Sequence, residues 1–159
     1  MQLTFTLRPF KPSDLQKVMY VNKICLPENY TTVFFLDLYE RFPETFIVAE
    51  IDGEVVGYIM CRIETGFSNS SFGIGKKGHV VSVAVLTQYR GCGIGQALLK
   101  EAMKGMRKYN AKEIYLEVRV SNDSAVSLYK KLGLEVRRTA KGYYLDGEDA
   151  YIMAKKLNP

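Results

Sequence analysis

The chain has 159 residues, of which 47% are hydrophobic and 25% are charged, and it carries a net charge of +5. This length and composition are typical of one globular domain over residues 1–159 with a buried core. No apolar run reaches the ~18 residues of a membrane span. The first residues also lack the basic start and apolar segment of a signal peptide. We therefore expect a cytoplasmic protein that does not enter a membrane.

The polar composition narrows the range of ligands. The positive charge favours anions such as the phosphate groups of a ligand, with the ribosome as a weaker candidate. Lys and Arg are scattered and form no nucleic-acid-binding motif, so sequence-specific nucleic-acid binding is not indicated. The three cysteines, Cys25, Cys61 and Cys92, include no C-x-x-C pair, and the chain has one histidine. We predict reduced cysteines and no metal site.

Hydrophobic periodicity predicts the element order β-α-α-β-β-β-α-β-α-β-β. The predicted strands cover residues 3–7, 46–50, 54–63, 79–86, 113–120, 134–139 and 150–154. The first predicted helix begins after a Ser13 cap and stops before Pro27, and the others cover 33–41, 96–109 and the segment from an Asn122 cap to 132. This order predicts a single mixed α/β sheet with helices packed on it.

Glycine marks three of the predicted connections. Asp52-Gly53 predicts a tight hairpin between the second and third strands. The Gly- and Ser-rich stretch 65–77 predicts a long loop. Gly133 predicts the end of the last helix.

A glycine-rich turn follows the β-branched run Val-Val-Ser-Val-Ala-Val and precedes a helical pattern. Glycine allows close approach of the backbone to a ligand, and a helix start offers free N–H groups and a positive dipole end. The turn therefore predicts an anion site, most naturally for a pyrophosphate. A ligand-free turn is the alternative interpretation.

The spacing of the turn excludes two familiar phosphate loops. A Walker A loop needs a lysine and a hydroxyl after its last glycine, but Gln96 and Ala97 follow Gly95. A dinucleotide fingerprint needs G-x-G-x-x-G, and Gln96 stands where its third glycine belongs.

The pattern Arg90-x-x-Gly93-x-Gly95 resembles the R-x-x-G-x-[GA] pyrophosphate loop of the GNAT acetyltransferases, which bind acetyl-CoA. The resemblance extends over nearly the whole chain and is most specific in Leu26-Pro27-Glu28-Asn29-Tyr30 and in Tyr143-Tyr144-x-Asp146-Gly147-Glu148-Asp149-Ala150-Tyr151. Arg119-x-Ser121-Asn122 with Leu128-Tyr129 lies between them. The sequence is most similar to the NatA-type catalytic subunits (the Ard1 group), especially their archaeal, single-chain members, and is also similar to RimI.

This resemblance implies a GNAT fold, an α/β architecture with a mixed, mostly antiparallel central sheet and about four flanking helices. It implies acetyl-CoA as co-substrate. The backbone of Val83, Ala84 and Val85 would bind the acetyl and pantetheine groups, and the turn Arg90, Gly91, Cys92, Gly93, Ile94, Gly95 and Gln96 would bind the pyrophosphate. Asn122, Ser127, Leu128 and Tyr129 would contact CoA from the last helix. Arg90 as a solvated turn residue is the alternative for that position.

The reaction implied is acetyl transfer to the N-terminal amine of proteins with Ser, Ala, Thr or Gly ends, and Met ends as a further candidate. An α-amine has a pKa of about 7.7–8.0, so a modest base suffices. His79 and Glu117 would hold a water that takes the amine proton, or would form a purely structural pair. Tyr129 would protonate the leaving thiolate, with core packing as its alternative.

The peptide would be bound by Glu28, Tyr30, Tyr143 and Tyr144. Glu28 would attract the cationic N-terminus, act as a second candidate base and permit a wider substrate range than a hydrophobic pocket. A rigid loop set by Pro27 is the structural alternative for the Leu26–Tyr30 segment, and core packing is the alternative for one of the two tyrosines.

Two departures from the common eukaryotic pattern are visible. Gly95 replaces a frequent Ala, which should be harmless because both are small. The 65–77 loop is longer, as in the archaeal branch, and either folds over the peptide site or is mobile. We expect no requirement for an auxiliary subunit. The rival functions are a GNAT enzyme for small amines and a non-catalytic CoA-binding subunit on the ribosome.

Overall fold

The computed structural model describes residues 4–158, which form seven strands and four α-helices. The strands are β1 (Thr6–Pro9), β2 (Phe46–Ile51), β3 (Glu54–Phe67), β4 (Ile74–Val85), β5 (Glu113–Arg119), β6 (Glu135–Ala140) and β7 (Ala150–Lys156). The helices are α1 (Leu15–Cys25), α2 (Thr32–Arg41), α3 (Ile94–Lys108) and α4 (Asp123–Lys131). The predicted order of elements is confirmed.

The strands of the described chain form one sheet in the order β1-β2-β3-β4-β5-β7-β6. Every neighbouring pair is antiparallel except β4 with β5, which is parallel. The prediction of a mixed, mostly antiparallel sheet is therefore confirmed. A parallel pair needs a crossover connection, and α3 supplies it between β4 and β5.

The core lies between the sheet and its helices. α1 packs on β3 and β4, α2 packs on β3, and α3 packs on β2, β3 and β4. Phe35, Phe46, Leu98 and Met106 are fully buried there. A Cβ on Gly105 would lie 2.0 Å from the carbonyl oxygen of Glu44, so α3 approaches this backbone at a distance that only glycine permits.

Local turn and cap signals were predicted well. Asp52 and Gly53 both have positive φ, as a two-residue hairpin turn between right-twisted strands requires. The Asn122 side chain accepts a hydrogen bond from the Ala125 N–H and caps α4. Gly133 follows that helix with φ +96°.

The Ser13 cap was a wrong prediction, because Ser13 lies within a short 3₁₀ turn that precedes α1. Asp14 occupies the N-cap position of α1 without a side-chain cap hydrogen bond, and its carboxylate instead accepts a hydrogen bond from the Lys11 N–H at 2.9 Å. Arg8 binds both oxygens of Asp14 at 2.7 Å and also binds Glu50 at 2.8 Å. The Asp14 carboxylate is therefore directed back towards β1 and the 3₁₀ turn and not to the N–H groups of α1.

The first predicted strand was also misplaced. β1 begins at Thr6 and continues to Pro9, whereas the alternation had indicated residues 3–7. Leu3 lies outside the described residues. β1 pairs with β2 from Thr6 onward, so pairing with β2 rather than local alternation sets its start.

The predicted loop 65–77 was wrong over most of its length. Thr65, Gly66 and Phe67 of β3 pair with Lys76, Gly75 and Ile74 of β4, so only residues 68–73 turn. The buried Glu113 carboxylate fastens this turn by accepting hydrogen bonds from the N–H groups of Asn69 and Ser70 at 2.9 Å each. The turn is therefore held at the first residue of β5.

No helix between residues 4 and 158 combines the length and the hydrophobicity that a membrane crossing requires.

The Arg8–Asp14 pair makes a testable contribution to stability. Burial raises the pKa of the Asp14 carboxyl, but the hydrogen bonds from Arg8 and from the Lys11 N–H outweigh it and lower the pKa below its ordinary value. A lowered carboxyl pKa stabilises the fold above the ordinary pKa, and the contribution is lost as pH falls through the lowered one.

We expect Asp14→Asn to reduce the free energy of unfolding by about 1–3 kcal/mol at neutral pH, since it removes a buried, charge-assisted contact. The difference from the unsubstituted chain should shrink towards zero as the pH falls through the lowered pKa of the Asp14 carboxyl. Urea unfolding at several pH values measures both. Equal differences at all pH values would contradict this account.

Candidate active site

The sheet opens between β4 and β5. These strands pair only where Lys77–His79 meets Glu113–Tyr115. On the other side of β4, Val80 pairs with Cys61 and Ser82 pairs with Met60, so Val81 is an extra residue without a partner on β3. Such a bulge bends the strand that carries it. Beyond it, residues 80–85 leave β5, and the facing edges of both strands have no strand partner.

The gap leads into a cleft of about 300 Å³. Eight predicted site residues line it: Glu28, Tyr30, Val83, Glu117, Asn122, Tyr129, Tyr143 and Tyr144. His79 lies behind Glu117. Ala84, Val85, Ser127, Leu128 and the glycine turn lie outside the lining. The structure thus brings together residues that the sequence spreads over more than a hundred positions.

His79 and Glu117 form a direct pair. His79 Nε2 lies 2.7 Å from Glu117 Oε1, and the histidine is buried, with 8% of its surface exposed. The sheet dictates this contact because His79 pairs in register with Tyr115, two residues before Glu117 on β5. Two residues along a strand return to the same face.

The sequence analysis missed a third member of this cluster, Glu64 on β3. Its Oε2 lies 2.8 Å from His79 Nδ1 and 2.7 Å from Arg62 Nε, and its Oε1 accepts a hydrogen bond from the Tyr115 hydroxyl. The Tyr115 ring stacks on the imidazole with centroids 4.4 Å apart and planes 6° apart. The imidazole is thereby held at both nitrogens and on one face.

Glu28 is placed by a network that begins inside the protein. The buried Asn22 of α1 donates from Nδ2 to the Glu28 carbonyl at 3.0 Å, and Asn29 donates to Asn22 Oδ1 at 3.2 Å. Glu28 Oε2 is itself buried and accepts no hydrogen bond from any residue between 4 and 158. It lies 3.7 Å from Arg119 Nη2, an ionic contact without a hydrogen bond. Glu28 Oε2 can therefore still accept a hydrogen bond from a ligand in the cleft.

Tyr30 closes the same wall of the cleft. Its hydroxyl donates to the carbonyl of Val81, the bulged residue, at 3.3 Å. Burial first, and the nearby carboxylates of Glu28 and Glu117 second, raise the pKa of Tyr30. The phenol therefore stays protonated at neutral pH and keeps donating to the bulge.

Arg119, which the sequence analysis quoted without a role, fastens the segment 141–149 over the cleft. Its Nη1 donates to Asp146 and to Glu148, each at 2.9 Å. Its guanidinium also lies 4.1 Å from the ring centroid of Tyr144. Tyr143 packs edge-on against Tyr144 with centroids 5.0 Å apart. The two tyrosines thus form an aromatic wall of the cleft that Glu28 also lines.

Tyr129 reaches the cleft from α4. It is buried, and burial raises the pKa of its hydroxyl to about 12. The phenol therefore holds its proton throughout the physiological range and is available there as a hydrogen-bond donor. Its position against the core also supplies the packing contact that the sequence offered as an alternative.

The glycine turn lies between β4 and α3. Gly91 and Gly93 adopt φ +79° and +87°, and a Cβ on either would meet no atom within 4 Å. No side chain between residues 4 and 158 caps α3, which leaves the N–H groups of its first turn available to a ligand. Arg90 Nε donates to the Val85 carbonyl at 2.8 Å and ties the turn back to β4. Free N–H groups at an accessible helix N-terminus form an anion-binding site.

α4 touches this turn through Leu128. A Cβ on Gly95 would lie 3.3 Å from Leu128 Cδ2, the end of a flexible side chain. Alanine would therefore fit at Gly95 with a small shift of Leu128. Cys92 is half-buried in the turn, and its Sγ lies 3.7 Å from the Arg90 carbonyl.

Among residues 4–158, no three His, Cys, Asp or Glu side chains are arranged to hold a metal ion. Glu64, His79 and Glu117 lie in a hydrogen-bonded row rather than around a point.

The model of the acetyltransferase (GNAT) family matches residues 15–134, a range that includes the bulge, the glycine turn and the row of Glu64, His79 and Glu117. The chain belongs to the GNAT acetyltransferase family.

Individual GNAT relatives cover nearly the whole chain. An N-alpha-acetyltransferase from Sulfurisphaera tokodaii is 53% identical over 156 residues, which is 96% of this chain and 93% of the relative. Ard1 from Thermoplasma volcanium has a similar crystal structure, with a TM-score of 0.83 and 32% identity over 98% of this chain and 99% of that one. Naa50 of Arabidopsis thaliana in complex with the bisubstrate analogue CoA-Ac-MVNAL gives a TM-score of 0.81 at 29% identity over 96% and 99% of the two chains. The predicted family and fold are confirmed.

A signal for Glu64 was present in the sequence of this GNAT chain. Arg62 and Glu64 continue the alternation of β3, and an antiparallel hairpin with a 68–73 turn sets Glu64 opposite Lys77, two residues before His79. The interpretation of 65–77 as a loop concealed that register. Tyr115 has its own signal in the alternation Glu113-x-Tyr115-x-Glu117.

Proposed function

We propose that this GNAT protein is an N-alpha-acetyltransferase, which moves the acetyl group of acetyl-CoA to the free N-terminal amine of proteins. The observation that carries the proposal is the buried Glu28 Oε2, which accepts no hydrogen bond from residues 4–158 and belongs to a cleft that Glu117 also lines. A cationic amine fits such an acceptor. The N-alpha-acetyltransferase relative from Sulfurisphaera tokodaii supports the same activity.

The residues present suit acetyl-CoA as co-substrate. Gly91, Gly93 and the free N–H groups at the start of α3 would hold the pyrophosphate, since no Cβ obstructs them. The unpaired edge of β4 from Val80 to Val83 would hold the pantetheine arm and the acetyl oxygen, with Ala84 and Val85 continuing that edge outside the cleft. Asn122 and Tyr129 would contact the arm from α4. The thioester supplies an activated acetyl group.

Glu28, Tyr30, Tyr143 and Tyr144 would bind the peptide. The Glu28 carboxylate attracts the ammonium group, and the tyrosine wall held by Arg119 contacts the first residues. This fixed aromatic wall favours a peptide over a small amine, the substrate of the rival enzyme.

The proton balance assigns the remaining roles. The ammonium loses one proton to the Glu117–His79 pair, directly or through one water, before its nitrogen attacks the thioester carbon. The C–N bond forms, the C–S bond breaks, and the second nitrogen proton goes to the CoA sulfur. Tyr129 donates a hydrogen bond to that sulfur as negative charge develops on it. One proton enters the solvent for each acetyl group transferred.

Three further expectations stay predictions: that the chain acts without an auxiliary subunit, that it contacts the ribosome, and that it is cytoplasmic.

The first test is an acetyl-CoA assay on peptides that differ only in their first two residues, with spermidine and a free lysine side chain as controls. We expect turnover on Ser- and Ala-starting peptides and none when the N-terminus is blocked. Turnover only on spermidine would favour a small-amine enzyme, and CoA binding without turnover would favour the non-catalytic rival.

The same panel tests the role of Glu28. Because Glu28 offers a charged acceptor rather than a hydrophobic pocket, Glu28→Val should narrow the range of accepted first residues and lower kcat/KM for Ser-starting peptides by about tenfold or more. An unchanged profile would remove Glu28 from substrate selection.

The base assignment is tested by replacing His79 and Glu117 together with Gln. We expect kcat to fall roughly 10²–10⁴-fold, as for loss of general base catalysis. Circular dichroism must show a folded sheet. A fall of less than about threefold in a folded variant would exclude this pair as the base.

The anion-binding site at the glycine turn is tested by two matched glycine-to-alanine substitutions. Gly93→Ala places a side chain in the left-handed region, so the free turn should relax out of it. Restoring this conformation on binding costs about 1–2 kcal/mol, so affinity for CoA should fall about 5- to 30-fold. Gly95→Ala fits beside Leu128 and should leave affinity within about twofold. Isothermal titration with CoA measures both. Equal effects would show that turn geometry does not control binding.

A further inference from the structure

Glu64, His79 and Glu117 form a hydrogen-bonded row, and Glu64 lies at the end of this row farther from the cleft. Glu117 lines the cleft, whereas neither His79 nor Glu64 does. Three strands deliver the row: β3 carries Glu64, β4 carries His79 and β5 carries Glu117. The contacts of 2.8 Å and 2.7 Å at the two imidazole nitrogens make it continuous.

The surroundings of Glu64 hold it as a carboxylate. Burial raises its pKa, but the hydrogen bonds from Tyr115 and Arg62, together with His79, outweigh burial and lower the pKa below the ordinary value. The Tyr115 hydroxyl, whose own pKa is raised by burial and by this carboxylate, stays protonated and donates. An ionised carboxylate only accepts hydrogen bonds, so His79 Nδ1 must carry the proton.

This proton count decides which group faces the substrate as a base. With the single proton of a neutral imidazole on Nδ1, the lone pair lies on Nε2 and is directed at Glu117 Oε1, 2.7 Å away. His79 does not line the cleft, so this lone pair faces Glu117 and not the substrate. The Glu117 carboxylate is the member of the row that meets the cleft and can accept a proton there.

We propose that Glu64 is a positioning residue for the proton transfer: it fixes the proton on His79 Nδ1, so that the imidazole supports Glu117 as the proton acceptor. This inference rests on the proposed function. In the step, an N–H bond of the substrate ammonium breaks and an O–H bond forms on Glu117. The new O–H donates to the lone pair of His79 Nε2, which is free only while the ring proton is on Nδ1, and the proton later passes to solvent. Glu64 touches neither substrate.

Loss of the Glu64 charge has a defined consequence for the ring. A neutral amide at this position is a weaker acceptor than the Glu117 carboxylate. The single proton of a neutral imidazole then moves to Nε2, where it donates to Glu117, and Nδ1 becomes bare. Histidine nitrogens are distinct in this way because the partner of one nitrogen sets the state of the other.

Nitrogen NMR reads this directly, because His79 is the only histidine in the chain. Long-range ¹H–¹⁵N spectra at about pH 8, above the ordinary histidine pKa of about 6.5, distinguish a protonated from a bare Nδ1. We expect a protonated Nδ1 in the unsubstituted protein and a bare Nδ1 in Glu64→Gln. A protonated Nδ1 in both would overturn the proposal.

Steady-state kinetics supply a second readout. Glu64→Gln should lower kcat about 10- to 100-fold while KM for peptide and for acetyl-CoA stays within about twofold, since a wrong tautomer impairs proton transfer and not binding. Tyr115→Phe, which keeps the stacked ring but removes the hydrogen bond to Glu64, should give a smaller fall in kcat.

Glu113→Gln is the matched control, because Glu113 is a buried carboxylate that holds the 68–73 turn and does not touch the imidazole. It should lower the melting temperature and leave kcat unchanged. An equal fall in kcat for Glu64→Gln and Glu113→Gln, or a loss confined to KM, would overturn the role of Glu64. If the unsubstituted chain acetylates no peptide, the proposed function fails, and the nitrogen spectrum alone decides whether Glu64 sets the tautomer.

Discussion

The separation of β4 from β5 is the constraint on which the rest of the site depends. A continuous sheet would satisfy every backbone group of residues 80–85 and leave no room for a ligand. The extra residue Val81 interrupts the register with β3, and pairing with β5 ends at His79. Unpaired backbone groups are tolerated only where another partner satisfies them. The gap is therefore a local departure from ideal sheet geometry, and a ligand bound there would satisfy the unpaired backbone groups of β4.

Side-chain hydrogen bonds hold the backbone on both sides of the gap. Tyr30 binds the carbonyl of Val81, and Arg90 binds the carbonyl of Val85, so both ends of the bent strand are held by side chains. Arg119 fixes the opposite wall through Asp146 and Glu148. These contacts are made before any substrate enters. Such preorganisation lets donors and acceptors act without rearrangement during the reaction.

The sequence predicted those parts of this arrangement that depend on near neighbours. Asn122 as a cap and Asp52-Gly53 as a turn need only a few adjacent residues to form. The glycine turn and the approach of His79 to Glu117 follow from strand order together with family resemblance. Ser13 failed as a cap because it lies inside a 3₁₀ turn whose last residue, Asp14, is bound by Arg8 of β1. Glu64 was missed because composition marked the stretch after it as loop, and only the strand register places it beside His79.

β5 carries chemistry on one face and core on the other. On one face, Glu113 holds the 68–73 turn, and Tyr115 stacks on the imidazole. Glu117 lines the cleft, and Arg119 binds the segment 141–149. The residues between them are buried: Ile114, Leu116 and Val118. A single inserted or deleted residue would exchange the two faces along the whole strand. The turn at 68–73 lies outside the paired strands, so no alternation of two faces depends on its length. Changes in chain length can therefore accumulate at that turn, whereas the seven residues of β5 must change by substitution alone.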